Sequence, residues 1–491
     1  EILKDPSSLA IFGVKGATGV IAITTKRAKA GQTVVSLTTN YGFKKLTDKI
    51  QLVDAAGFAT LFAEERANNG VTAPYDYTGL NANTDWIDAV TRTAQFSNSN
   101  MTISSSSDKN KFNFGIGYTM DEGIIKHEQL KRLTISLADE LKINKAIKIG
   151  VTLNASRQKN PYTKIDANAH ILDDARKVIP QVSAQPTTHF VKNPYGTDSL
   201  DMSIYSGLDV GLQSAGVVNP LLKVENEWDK LLSNEYRTVG SVYGEVTFLR
   251  NFTFRSTAYA DISNLNERQY TPLYYATNPK ANNEPYLYSQ STSVNEDDIT
   301  WRKFQQDHIL TYKNDFGDHG LTLTGGFTTY YYSYFKRTGK ASQPVGPTAL
   351  AIPNDPRFWY ITTSFEDRPA TASSEQSENS TVSYLARALY NYQGKYYLNA
   401  SFRNDASSRL PAHTRNQQFW AVGAAWEMSK EDFMANQHIF DYVKIKASAG
   451  VLGNQTSTDN EGVPLPYPFY PNIRTDVSAV FGTNVYPGAR K

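Results

Sequence analysis

One glycine-rich run in this sequence could bind phosphate, but its spacing argues against that chemistry. Three glycines recur at every third position in Gly13-Val-Lys-Gly-Ala-Thr-Gly19. A dinucleotide-binding loop needs Gly-x-Gly-x-x-Gly, a P-loop ends in Gly-Lys-Ser/Thr, and both open a helix. The run matches neither pattern and follows a helical segment. We therefore predict that Gly13, Gly16 and Gly19 form a tight turn, since glycine readily adopts positive φ.

Other residues that catalyse reactions or bind metals lack the spacing that such sites need. Ser7-Ser8 and Ser407-Ser408 have no Gly-x-Ser-x-Gly context for a nucleophile. The seven histidines are scattered, and the absence of cysteine excludes disulfides and thiolate metal sites. Asp173-Asp174 with Asp166 could hold a cation, although a solvated loop or short helix also explains them. The sequence therefore predicts neither an enzyme nor a cofactor-binding or metal-binding protein.

Aromatic residues in the long connecting segments are candidates for contact with a substrate. They are Tyr195, Tyr205, Tyr274, Tyr275, Tyr286, Tyr288, Trp359 and Tyr360. Their flat rings could stack on sugars or on peptide side chains. The alternative is that they pack the connecting segments together or belong to an aromatic girdle at a membrane interface.

A repeating strand pattern would have to position these residues. Apolar and polar residues alternate through Lys111–Asp121, so that Phe112, Ile116 and Tyr118 share one face. A period of two indicates a β-strand with one apolar face. Segments of about ten residues with this pattern recur along the chain, and their polar face is rich in charge. A barrel in lipid has this arrangement, because its apolar face turns outward and its lumen stays polar.

The connectors between the predicted strands alternate in length. The short ones are Ser107–Asn110, Arg250-Asn251 and Gln393–Lys395, and the long ones are 158–234, 264–300 and 336–379. Outer-membrane barrels have short periplasmic turns and long extracellular loops. We therefore predict that the short connectors are periplasmic and the long ones extracellular. The pattern gives about 13 strands, and since single-chain bacterial barrels have an even number, we expect further strands outside this sequence.

The composition agrees with a barrel. The 491 residues include 30 Tyr and 23 Phe, and Tyr suits both strands and membrane interfaces. A mean hydropathy of −0.46 excludes a helical membrane protein, since a spanning helix needs about 20 apolar residues. The net charge of +2 gives no argument for a nucleic-acid partner.

Two segments near the N-terminus differ from the strand pattern. Glu1–Lys4 and Val20–Lys26 are predicted short strands, with a short helix over Ser7–Val14 between them, because Asp5-Pro6 is a typical helix start. A longer helix is predicted at about Ala55–Asn68, where Asp54 is the N-cap and Gly70 ends the helix.

Several patches together resemble one family. Residues 1–26 resemble the end of the plug domain of TonB-dependent outer-membrane transporters, most closely the SusC/RagA-type transporters of Bacteroidetes. The other patches are Thr84-Asp85-Trp86, Gly117-Tyr118 with Glu122-Gly123-Ile124, residues 403–409 (RNDASSR), Ala424-Ala425-Trp426 with residues 431–434 (EDFM), and residues 449–455 (AGVLGNQ). Together they cover the chain from its first residue to about Gln455.

The resemblance implies an all-β fold: a large antiparallel transmembrane β-barrel of about 22 strands when complete, with about 13 here and a plug domain in the lumen. Residues 1–30 would be the C-terminal end of the plug, and 31–491 part of the barrel with long extracellular loops. The implied function is active import of a large nutrient, an oligosaccharide or a peptide, across the bacterial outer membrane. The implied partners are a SusD-like surface lipoprotein, outer-membrane lipid and the TonB complex, which would bind through a segment that precedes Glu1.

Two other functions remain open on the residues alone. A passive outer-membrane porin would share the strand pattern, although a porin leaves an open channel and the segment 1–27 resembles a plug. A surface adhesin or glycan-binding β protein would pack its apolar faces inside a soluble fold.

The alternation also predicts which side chains share each face of the wall. Those predicted to face lipid are Phe112, Ile116, Tyr118, Ile147, Ile149, Val151, Phe252, Phe254, Tyr396 and Leu398. Lys148, Arg255, Arg387 and Arg403 are predicted to face the lumen, because a charge facing the bilayer midplane would cost roughly 2–4 kcal/mol.

Overall fold

The computed structural model describes residues 2–3, 9–15, 19–23, 31–159, 171–193, 198–208, 211–213, 216–289, 291–344, 351–361, 370–434, 439–453, 467, 474–481 and 484–490. The strands in chain order are β1 Ile2–Leu3, β2 Val20–Ile21, β3 Thr33–Lys44, β4 Ala94–Ser106, β5 Asn110–Glu122, β6 Gln129–Lys142, β7 Ile147–Lys159, β8 Thr187–Lys192, β9 Ser199–Ile204, β10 Leu231–Phe248, β11 Phe252–Thr271, β12 Tyr275–Asn278, β13 Glu284–Leu287, β14 Ser291–Phe316, β15 His319–Pro344, β16 Ala370–Tyr392, β17 Tyr396–Ser407, β18 Asn416–Trp426, β19 Ile445–Val451, β20 Arg474–Phe481 and β21 Asn484–Arg490.

Thirteen of these strands form one antiparallel sheet. Its order is β19-β18-β17-β16-β15-β14-β11-β10-β7-β6-β5-β4-β3, so each strand pairs with its neighbours along the chain once the short ribbons β8-β9 and β12-β13 are set aside. The predicted fold class, a large antiparallel sheet of about 13 strands, is confirmed.

The pairing register divides the sheet into two faces. Lys148 pairs with Glu245 and Glu245 with Arg255, so all three lie on one face. Arg387 and Arg403 share this face, because Arg255 is linked through Ile309, Gly326 and Leu385 to Arg403. We call it the charged face. The ten apolar residues predicted to face lipid alternate with these positions and lie on the opposite, apolar face, where Ile116, Tyr118 and Leu398 are among the exposed side chains.

The short turns lie at one end of the sheet, close to their predicted positions. Gln393 and Gly394 have φ of 53° and 62°, the two positive values that a tight hairpin turn between twisted strands requires. The other end carries the long connectors, and there the predicted bounds are wrong. The connectors span 160–230, 272–290 and 345–369, because β11, β14, β15 and β16 continue well beyond the expected points. The outer part of β16, Ala370–Asn379, is polar on both faces, so it shows no apolar alternation.

In the described residues, four helices precede or interrupt the long connectors: α1 Ala55–Asn68, α2 Trp86–Val90, α3 Ile171–Lys177 and α4 Pro220–Glu227. The bounds of α1 and its cap are as predicted, since Asp54 accepts a hydrogen bond from the amide of Gly57. Single-turn 3-10 helices lie at Pro356–Phe358, Met428–Lys430 and Asp432–Met434. Within the residues that the structure describes, we find no helix long and apolar enough to cross a membrane.

Helices α1 to α4 pack together at the long-connector end, and we call this unit the cap. Trp86, Val90, Ile171, Ile179 and Leu221 are buried in its core. Trp86 is 1% exposed, and its indole Nε1 donates a hydrogen bond of 2.9 Å to the carbonyl of Ile179. The long connectors are therefore folded around a hydrophobic core of their own.

The N-terminal segment forms a small unit separate from the sheet. β1 and β2 pair with each other, and between them lies a 3-10 helix, Ala10–Lys15, which overlaps the predicted helix over Ser7–Val14, whose residues Ser7 and Ser8 lie outside the described residues. The second strand ends at Ile21, earlier than the predicted Lys26.

Candidate functional site

The N-terminal segment binds the charged face of the sheet through Arg403 of β17. The Nη1 of Arg403 donates a hydrogen bond of 2.8 Å to the carbonyl of Ile11, in the 3-10 helix. The same guanidinium donates through Nε to Asp405 at 2.6 Å and through Nη2 to the hydroxyl of Ser383 at 2.9 Å. The Asp405 side chain is fully buried, so this ion pair is shielded from water. Arg403 is therefore fixed in the orientation that binds the segment.

Gly13 lies directly against this ion pair. Its φ is 57° and its ψ is −133°, a conformation that residues with a side chain rarely adopt. A Cβ at this position would overlap Asp405 Oδ2 and would lie 2.5 Å from Arg403 Nε. Gly19 also has a positive φ, of 97°, whereas Gly16 lies outside the described residues. Glycine at position 13 thus permits both the turn and the close approach to the wall.

A second feature of the charged face is a row of aromatic rings, which we call the tyrosine wall: Tyr259, Trp301, Tyr330, Tyr332 and Tyr334. The register sets Trp301 opposite Tyr334, and their ring centroids are 5.9 Å apart. Tyr259 and Tyr330 lie on either side of Gln305. All five side chains are half-buried and present ring surface on the charged face.

A charged triad adjoins the tyrosine wall. Arg237 donates two hydrogen bonds of 2.9 Å to the two oxygens of Asp261, and Lys303 Nζ lies 3.4 Å from Asp261 Oδ2. Asp261 is 4% exposed, while half of the Arg237 side chain is accessible. Two cations share one carboxylate, so the triad carries one net positive charge beside the aromatic rings.

The tyrosine wall lies between the N-terminal segment and the long-connector end. Tyr332 pairs with Asn379, and Arg403 pairs with Leu385, six residues further along β16 toward the short turns. At about 3.3 Å per residue the two levels are roughly 20 Å apart along the strand. A solute that enters from the long-connector end would meet the tyrosine wall before the N-terminal segment.

The aromatic residues proposed from the sequence mostly lie in or around the cap, where several are packed. Tyr274 is 7% exposed and packs with Leu222, near Tyr205 and Tyr288. Trp359 is 1% exposed and stacks on Tyr270 with ring centroids 5.0 Å apart. The hydroxyl of Tyr275 donates to the carbonyl of Lys192 at 3.0 Å. Tyr286 and Tyr360 are exposed, and Tyr195 lies outside the described residues.

Burial changes the acid–base properties of the cap. Glu227, in α4, is 5% exposed, and burial raises the pKa of its carboxyl to about 7, although Lys223 opposes the shift. Burial also raises the pKa of Tyr274, and the nearby Glu227 carboxylate adds to that shift. A hydrogen bond of 3.0 Å from His127 has the opposite effect on Glu225, whose pKa it lowers.

The described part of the chain contains no group of three or more His, Cys, Asp or Glu side chains that could hold a metal ion. Of the three aspartates considered above, Asp173 pairs with Lys177 and Asp166 lies outside the described residues. The geometry can bind a solute by stacking, hydrogen bonding and charge, and it can hold the N-terminal segment in place.

Sequence reasoning missed the tyrosine wall. The run Tyr330-Tyr331-Tyr332 puts rings on both faces of β15, so alternation alone does not single it out. A usable signal was that these tyrosine and tryptophan residues alternate with the apolar face of their strands and so lie among charged residues, on the face that a barrel turns inward.

No protein-family model matches the chain. It is similar to TonB-dependent receptor P3 of Formosa agariphila, with 26% identity over 470 residues, which are 94% of this chain and 42% of that protein. It is also similar to TonB-dependent receptor SusC of Bacteroides thetaiotaomicron, with 24% identity over 94% of this chain and 43% of that protein. The chain thus spans less than half the length of these relatives, and both are named receptors, not enzymes.

Among solved structures, the chain matches that of the RagAB peptide transporter. The TM-score is 0.73 at 16% identity, and the match covers 99% of this chain and 54% of that chain. At this identity the match establishes a shared fold, that of a large antiparallel β-sheet.

Proposed function

We propose that this chain, a homologue of the SusC-type TonB-dependent receptors of Bacteroidetes, forms part of the wall and the end of the plug of an active importer in the bacterial outer membrane. The observation that carries the proposal is the N-terminal segment seated on the charged face of the sheet through Arg403 and Gly13. We would not expect such a segment in a porin, because the lumen of a porin is an open aqueous channel.

In this proposal residues 1–30 are the C-terminal end of a plug domain and 31–491 are part of the barrel. The charged face lines the lumen and the apolar face meets lipid, since a closed barrel in a bilayer keeps its polar side chains inside. The short turns are periplasmic, and the cap is extracellular. The plug blocks the lumen at the level of Arg403. Its polar contacts with the wall must be broken together, so displacing it requires an applied force.

The tyrosine wall and its charged triad supply the surface on which a solute rests above the plug. Aromatic rings bind sugars and peptide side chains alike, so the proposed substrate is a large nutrient, an oligosaccharide or a peptide. A SusD-like surface lipoprotein is the proposed partner at the cap, and the TonB complex the proposed source of energy.

Energy dependence separates this proposal from its alternatives. Cells that express the full-length protein should take up fluorescently labelled oligosaccharides or peptides, and an uncoupler or deletion of the TonB complex should abolish that uptake. Uptake that survives both treatments would indicate a passive porin. Surface binding without uptake, by a protein that dissolves without detergent, would indicate an adhesin. Recovery of a SusD-like lipoprotein with the tagged protein in mild detergent would support the proposed partner, and its absence would overturn that part alone.

A further inference from the structure

A groove on the cap, well apart from the tyrosine wall, has the features of a second binding site. It lies between α1 and residues 71–77 and has a volume of about 550 Å³. Its lining is mostly alanine, valine and proline side chains together with the hydroxyl-bearing Thr72, three aromatic rings (Phe62, Tyr75 and Tyr77) and one cation, Arg66.

The aromatic side of the groove is held in place by the cap. Phe62 and Tyr75 meet edge to face with centroids 5.5 Å apart, and Tyr75 and Tyr77 do so at 5.0 Å. Tyr75 and Tyr77 also pack against the hydrophobic core of the cap. The aromatic side of the groove is therefore formed before any ligand arrives, which lowers the entropy cost of binding.

Arg66 gives the groove an unneutralised charge. Its guanidinium carbon lies 5.8 Å from the ring centre of Phe62 and 5.7 Å from that of Tyr75, and its Nη2 donates to the carbonyl of Ala73 at 3.1 Å. Across the residues described here, no carboxylate lies within ion-pair distance of it. The neighbouring cation Lys280 differs, because Asp76 neutralises it at 3.4 Å.

Within the part of the chain that the structure describes, two polar atoms at the groove lack hydrogen-bond partners. They are Arg66 Nε and Tyr77 Oη, and both are covered by surrounding side chains. A buried donor without a partner is costly, so a ligand that supplies an acceptor gains what the free protein lacks. Because both atoms are covered, the ligand must turn the half-exposed guanidinium to reach them.

We infer that this groove binds the C-terminal residue of a peptide with an apolar side chain. A carboxylate accepts two parallel hydrogen bonds from an arginine, and the alanine and valine side chains of the groove suit an aliphatic or aromatic side chain. An acidic sugar fits less well, since its hydroxyls would be buried against this apolar lining without partners. The inference does not depend on transport.

Binding to the purified full-length protein in detergent tests it. Calorimetry with N-acetylleucine should give saturable binding, and N-acetylleucinamide, which lacks the carboxylate, should bind roughly tenfold to hundredfold more weakly. Arg66→Gln should cause a similar loss for N-acetylleucine, and Tyr77→Phe a smaller one. Arg176→Gln, which removes an exposed arginine elsewhere on the cap, is the matched control and should bind normally.

Three results would overturn the inference. They are equal binding of the acid and the amide, unchanged binding by Arg66→Gln, and tighter binding of glucuronate than of N-acetylleucine. The comparison of acid with amide uses the unaltered protein, so it decides the question even if Arg66→Gln fails to fold.

Discussion

Replacing Gly13 with alanine should unseat the N-terminal segment from the wall. The backbone at Gly13, with φ 57° and ψ −133°, is one that side chains rarely adopt, and such strain costs roughly 1–3 kcal/mol. The added methyl group also overlaps Asp405 Oδ2. Separating Arg403 from Asp405 would leave one buried charge without its partner, which costs roughly 3–5 kcal/mol. If the two residues move together and stay paired, only the backbone strain of roughly 1–3 kcal/mol remains, and this is the smallest expected cost.

A backbone cost of roughly 1–3 kcal/mol raises the population of the unseated N-terminal segment about 5-fold to 150-fold. Conductance of the purified full-length protein in planar bilayers should show more frequent openings, and cells should become more sensitive to a large antibiotic such as vancomycin. Gly31→Ala is the matched control. Gly31 also has a positive φ, of 89°, but a Cβ there meets nothing within 4 Å. If Gly13→Ala conducts no more than the parent protein or Gly31→Ala, the proposed seating of the plug on Arg403 is wrong.

Three further outcomes are expected. Stability of the cap should fall as pH rises from about 4.5 through 7, because the raised pKa of Glu227 makes the folded cap bind its proton more tightly than the unfolded chain does. Glu227→Gln should flatten this dependence of cap stability on pH, measured in thermal melts in which unfolding of the cap is detected by proteolysis. An unchanged pH dependence would contradict the assignment. The chain has no cysteine, so a membrane-impermeant maleimide on intact cells should label a cysteine placed at the exposed Phe190 of β8 but not one at Asp108 in a short turn; the reverse result would invert the topology. Tyr332→Ala should raise the KM of uptake roughly twofold to tenfold, the worth of one aromatic contact, and an unaffected KM would remove the tyrosine wall from the transport path.

The strand pattern predicted the sheet well because one face of each strand meets an apolar environment. Helix α1 was predicted to the residue, since Asp54 and the glycine after the helix are local signals. The outer parts of β15 and β16 were missed, because both of their faces are polar there. Apolar and polar residues alternate only where the two faces of a strand have different surroundings. The alternation therefore ends where both faces have the same surroundings.

The candidate site was harder to predict because its contacts join distant parts of the chain. Arg403 and Ile11 are 392 residues apart, and no local pattern relates them. Tyr274 and Trp359 were candidates either for contact with a substrate or for packing of the connecting segments, and both are buried. An aromatic residue in a long connector has the same sequence signature in either role, and only the packing of the cap distinguishes them.

The length of β14 and β15 has a consequence for where the entrance of the proposed transporter lies. Each has 26 residues, which is roughly 85 Å of strand. With the usual tilt of about 45°, such strands rise roughly 60 Å, twice the thickness of the hydrocarbon layer of about 30 Å. In the proposed orientation this side of the wall extends roughly 30 Å beyond the hydrocarbon layer. The entrance would then lie beyond the lipid headgroups, and a bulky nutrient could reach it without contacting them.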